Sequence, residues 1–163
     1  MEVRHATNPA ESSRYGTAER RAAYLVTDLF PTGTVRAVYA HADRVVVAGT
    51  SPAPGEPVPL PAFDPLRSAY FLERRELGVV NIGGAGTVQV DGTEYKLGNR
   101  DVLYVGRGAR DVVFGSDGDP GARYYLVSAA AHTEYPTRLA RQVDVEGIAL
   151  GSPDTSNDRT LYK

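Results

Sequence analysis

The run Leu77–Gly78–Val79–Val80–Asn81–Ile82, followed at once by Gly83–Gly84–Ala85–Gly86, restricts this chain more than any other feature. The first half is apolar and β-branched, as a buried strand should be. The glycines then break the pattern, and successive glycines permit positive φ, so a tight reversal is expected there. Thr87–Val88–Gln89–Val90 alternates polar and apolar residues, and Asp91–Gly92 is a strong short hairpin signal. Tyr95 and Leu97 continue on the far side. The stretch Tyr70–Gly92 is therefore expected to form a central hairpin around which the other strands pair.

A length of 163 residues suits one domain with a proper core. The net charge of −2 gives no electrostatic reason to expect nucleic acid or a membrane surface as a partner. No cysteine is present, which excludes disulfides, thiolate metal sites and cysteine nucleophiles. No apolar run approaches the ~18 residues of a membrane span, and MEVRHATNP has no apolar signal core, so a cytoplasmic protein is expected.

Residues 1–34 read as a polar arm plus a short helix over 18–26, capped by Thr17, with Ala18, Ala22, Leu25 and Val26 on one face. Val35 to Gly49 is strand-like. The six prolines of 51–65 rule out a central strand and leave a loop or edge segment. Strands are expected at 101–105, 111–114 and 123–130, with turns at Gly106–Arg107–Gly108 and Ser116–Gly121. From Ala131 onward regularity fades. About eight short strands separated by turn signals indicate an all-β sandwich, jelly roll or barrel.

The spacing sharpens this to a cupin-type β-barrel or jelly roll over residues 35–130. Cupins carry two spaced motifs, and here Glu76 and Gly83 fit the end of the first while Gly98 and Gly106 fit the second. The metal-binding side chains do not follow. The first motif's histidine positions fall on Tyr70 and Leu72, or on Ala69 and Phe71; the second motif's proline position is Tyr104 and its histidine position Ala109. A first-row metal needs imidazole or carboxylate donors converging on one point, and one carboxylate among apolar side chains cannot hold it. The barrel is therefore expected to be metal-free.

Longer stretches are more specific: YAHADRVVVAG (39–49), SAYFLERRELGVVNIGGAGTVQVDG (68–92), RDVLYVGRGARDVVF (100–114), AHTEYPT (131–137) and TSNDRT (155–160). In these the chain resembles the N-terminal half of the 5-dehydro-4-deoxy-D-glucuronate isomerase family, also called 4-deoxy-L-threo-5-hexosulose-uronate ketol-isomerases. The resemblance implies a bicupin that forms homo-oligomers, usually hexamers, and converts its uronate substrate to 3-deoxy-D-glycero-2,5-hexodiulosonate in pectin breakdown. It also implies zinc held by the C-terminal barrel, towards which residues 131–163 would lead. This chain alone would then hold no catalytic residue and no metal, and would be inactive. The alternative is a metal-free sugar-acid-binding or oligomerisation module, and a third reading is a cupin with a metal site around His41 and His132.

Individual residues divide in the same way. Glu76 is expected in an ion pair with Arg74, two residues away on the same strand face, with Glu73 and Arg75 on the other side. His41 reads as an ordinary hydrogen-bonded histidine, and His5 as part of the arm. His132 with Glu134 resembles a ligand pair that lacks a third donor. Tyr104 reads as packing. Arg159, in TSNDRT, is the candidate substrate-binding residue, set against a surface or junction salt bridge. Gly83–Gly86 is not a phosphate loop, because it joins strands and no lysine follows at the required position.

Overall fold

The computed structural model describes residues 1–163. The chain begins with β1 (Glu2–Arg4), α1 (Pro9–Ser12) and α2 (Thr17–Tyr24), then β2 (Arg36–Ala40), β3 (Val45–Thr50) and β4 (Val58–Pro59). Next come β5 (Arg75–Asn81), β6 (Gly86–Val90), β7 (Thr93–Leu97), β8 (Val102–Val105), β9 (Val112–Ser116) and β10 (Tyr124–Ala130). It ends with β11 (Arg138–Ala140), β12 (Gly147–Leu150) and β13 (Arg159–Tyr162).

A seven-stranded sheet in the order β1-β2-β3-β10-β5-β8-β11 packs against a four-stranded sheet, β4-β9-β6-β7. The first supplies Ala37, Val46, Ala48, Leu77, Val79, Leu103, Val105 and Leu126 to the core; the second supplies Val58, Val88, Val90, Leu97, Val112 and Phe114. Burying one such Leu or Phe contributes about 1.5–3 kcal/mol, so this inner layer drives the closure of two sheets into one rolled barrel. The large sheet reaches outside residues 35–130 at both ends, through β1 and β11.

The glycine run does something other than reverse the chain. β5 lies in the large sheet and β6 in the small one, so residues 82–85 cross between sheets and form no hairpin. None of Gly83, Gly84 and Gly86 adopts the left-handed, positive φ. Their requirement is space: a Cβ on Gly83 or Gly84 would run into the backbone at Gly121 or Pro120, and one on Gly86 into the Tyr124 hydroxyl. The true hairpin is β6–β7, where Asp91 (φ 47°) and Gly92 (φ 84°) make the two left-handed positions its turn demands.

Other expectations shift for similar local reasons. Val35–Gly49 is a hairpin of β2 and β3, with Arg44 left-handed in its turn (φ 54°). The proline-rich segment contributes only β4, an edge strand, as the missing donors require. The N-terminal arm is partly structural, because β1 pairs in parallel with β2. Helix α2 is capped at Gly16, whose N–H donates to Glu19 Oε2 at 2.6 Å, and it buries no residue, so the expected apolar face packs nothing. Beyond Ala131 the chain is more regular than expected: β11 joins the large sheet, and β12 and β13 form a separate antiparallel pair.

Candidate functional site

Strand β5 places the charged side chains, and strand parity decides where they point. Arg75, Leu77, Val79 and Asn81 are buried and face the interior, while Glu76, Gly78 and Val80 face outward. This reverses the sequence expectation for Glu76 and Arg75. Glu76 makes no ion pair with Arg74; its Oε2 accepts a hydrogen bond from the Tyr104 hydroxyl at 2.8 Å. Burial and then this carboxylate push the Tyr104 phenol up to about 12. Around them the outer face is largely apolar, with Val47, Val127, Gly78 and Tyr104 side by side across four strands. Tyr104 also lines a shallow cleft of about 490 Å³ with Val102, Tyr135 and Arg138.

At the interior end of β5 the barrel opens into a cavity of about 390 Å³, lined by Tyr39, His41, Arg44, Ser68, Arg74 and Arg75 among others. No carboxylate lines it. The only ion pairs of the molecule join Glu2 to Arg4 and Arg36, so none of these three arginines has an acidic partner within 4 Å. Arg75 is only 7% exposed. Its Nε donates to Ser128 Oγ (3.0 Å), and its Nη2 to the carbonyls of Ser128 (2.7 Å) and Arg44 (2.8 Å). The Nη1 edge has no protein acceptor. Burial pulls the pKa of Arg75 below the ordinary arginine value, the signature of a cation whose desolvation no anion offsets. Its guanidinium lies 5.7 Å from the centre of the Tyr39 ring, a weak compensation. Nearby, the Ser68 hydroxyl is buried without a hydrogen-bond partner.

The remaining candidates do not converge. His41 stacks on His5 at 4.6 Å and meets the edge of Tyr39 at 5.0 Å, so His5 is held against the barrel. His132 and Glu134 are exposed. No cluster of three or more His, Asp or Glu side chains is positioned to share an ion, so the donor set does not fit a metal site around His41 and His132; the zinc that the resemblance implies belongs to the C-terminal barrel. Arg159 is exposed on β13 and donates to Asn157 Oδ1 at 2.8 Å; it forms no salt bridge. Sequence reasoning missed the role of Arg75 because an arginine in an ERRE run reads as surface charge. It also missed Arg107, which ties Glu73, Ala131 and His132 together through their backbone carbonyls.

The two rolled sheets and their connections define a cupin-type β-barrel. An IolB-like protein from Salmonella typhimurium LT2 shares this fold, with a TM-score of 0.56 at 19% identity over 72% of this chain and 43% of that one. Residues 58–163 match the KduI/IolB family, and the chain belongs to it. The 4-deoxy-L-threo-5-hexosulose-uronate ketol-isomerase of Halalkalibacterium halodurans is 49% identical over all of this chain and 59% of its own length. That of Formosa agariphila is 46% identical over 98% of this chain and 57% of its own length. The chain thus spans somewhat more than half of the curated relatives it matches, as their N-terminal half. No helix is long and apolar enough to cross a membrane.

Proposed function

We propose that this chain is the N-terminal barrel of a cytoplasmic 4-deoxy-L-threo-5-hexosulose-uronate ketol-isomerase, serving as scaffold to a catalytic barrel that carries the metal. The observation that carries this reading is identity of 45–49% to ketol-isomerases along nearly the whole chain, over a barrel with no convergent ligand set. On this reading the substrate is 5-dehydro-4-deoxy-D-glucuronate, zinc belongs to the remainder of the enzyme, and the working assembly is a homo-oligomer, a hexamer by resemblance. Ketol isomerisation moves a proton between adjacent carbons and stabilises an enediolate oxygen, which requires a positioned base and an electrophile. The outward Glu76 is already engaged by the Tyr104 hydroxyl.

The test is reconstitution. The 163-residue chain with zinc is expected to show no turnover, and the same chain fused to the C-terminal part of the Halalkalibacterium relative is expected to be active. Turnover by the chain alone, or an inactive but folded fusion, sinks the reading. The alternative of a metal-free module that binds sugar acids is favoured by one observation, the arginine-lined cavity at the barrel mouth.

A further inference from the structure

We propose that the mouth of this barrel is a binding site for a small organic oxyanion, a carboxylate or phosphate ester, held by Arg75 with Arg74 and Arg44. The inference is independent of the isomerase reading, since it concerns only side chains of this barrel.

Four observations support it together. First, three arginines line one cavity without a single carboxylate among the lining residues. A cation as buried as Arg75 is costly to keep unless a counter-charge reaches it, and the protein supplies none. Second, Arg75 is fixed in orientation by its three hydrogen bonds to Ser128 and Arg44, so its unbonded Nη1 edge is presented to the cavity at no further entropic cost. Guanidinium forks of this kind bind carboxylate and phosphate in bidentate fashion. Third, Ser68 belongs to the same cavity wall and its hydroxyl has no hydrogen-bond partner, so a turn about its Cα–Cβ bond would bring that hydroxyl to a hydroxyl or oxyanion of a guest. Fourth, the cavity, at about 390 Å³, lies in the range of small-molecule pockets, and the Tyr39 ring gives it an apolar wall beside the charges. His41 adds a further donor or acceptor at the rim. This combination fits a compact, hydroxylated anion better than a bare inorganic ion, which would leave the apolar wall and the Ser68 hydroxyl unused.

Calorimetric titration of the 163-residue chain with sodium D-galacturonate, D-galactose 6-phosphate and neutral D-galactose tests this. Saturable binding of either anion with galactose silent supports the site, and the tighter of the two identifies the head group. Arg74→Ala is expected to weaken that binding at least tenfold, and Ser68→Ala several-fold. Arg44→Asn, chosen because asparagine tolerates the left-handed backbone there, should act in the same direction. Arg74 and Arg44 are exposed, so these variants probe the site without disturbing the buried Arg75. No saturable binding of either anion, galactose binding as tightly as its anionic relatives, or anion binding unchanged in Arg74→Ala and Arg44→Asn would each overturn the proposal.

Discussion

The two ends of β5 face the same interior with opposite solutions to burying polarity. At the C-terminal end, Asn81 is fully buried and its side chain is saturated: Nδ2 donates to the carbonyls of Gly84 and Leu97, and Oδ1 accepts from the N–H groups of Gly83 and Arg123. The neighbouring Asp101 carboxylate likewise accepts from Gly98 N–H and Gln142 N–H. At the N-terminal end, Arg75 is held by three bonds yet keeps an open edge and an unneutralised charge. A polar network closed on itself specifies structure, whereas one left open faces something not supplied by its own chain. The barrel is thus sealed at one end and chemically unfinished at the other.

Substitutions can break this contrast in order of size. Gly84→Ala should have the largest effect, since the new methyl must displace the Pro120 backbone; a loss beyond about 3 kcal/mol, read as a failed or much earlier denaturant transition, is expected. Asn81→Leu should cost about 3 kcal/mol, because it takes the side-chain partner from four backbone groups, one buried and three half-buried. Arg75→Met should cost clearly less, within about 1 kcal/mol of the parent in ligand-free urea melts, because it also removes an unpaired buried charge. If Arg75→Met proves as damaging as Asn81→Leu, the two ends are not different in kind.

A smaller effect separates the interior of β5 from its outer face. The Tyr104 phenol stands at about 12 against an ordinary value of 10.0, raised by burial and by Glu76. Its folded pKa lies above the unfolded one, so its contribution to stability is whole below pH 10 and is lost as the pH climbs through about 12. Glu76→Gln should bring part of the late phenolate absorbance change at 295 nm to lower pH, and Tyr104→Phe should remove one tyrosine's worth of it, leaving the buried Tyr124, whose phenol is also pushed up, to titrate last. Arg159→Ala should do least, moving stability by no more than about 0.5 kcal/mol, because its one hydrogen bond lies on an exposed hairpin.

Much of the scaffold was legible because strand and turn signals are local. Leu77–Asn81, the Asp91–Gly92 turn and the proline-rich edge all declare themselves within a few residues. What stayed hidden depends on distant partners. The three-residue β1 is too short to carry a period, and its pairing with β2 exists only in three dimensions. Gly83, Gly84 and Gly86 announce a special backbone position, yet close approach and positive φ look identical in sequence. The site was less legible than the fold for one reason of parity. Spacing put Glu76 near a ligand position, but Leu77 and Val79 had to face the core, and a strand gives its odd and even residues to opposite sides. The open mouth was invisible because it joins residues as far apart as Val3, Arg75 and Ala130 that no motif links.

The crossover glycines have a mechanical corollary. With main chain lying directly on main chain at Gly83 and Gly84, and the Tyr124 ring anchored against Gly86, little pliable side chain cushions the joint between the two sheets there. That seam acts as a fixed clasp, so whatever widening the barrel undergoes must take place at the far rim, beside the arginines.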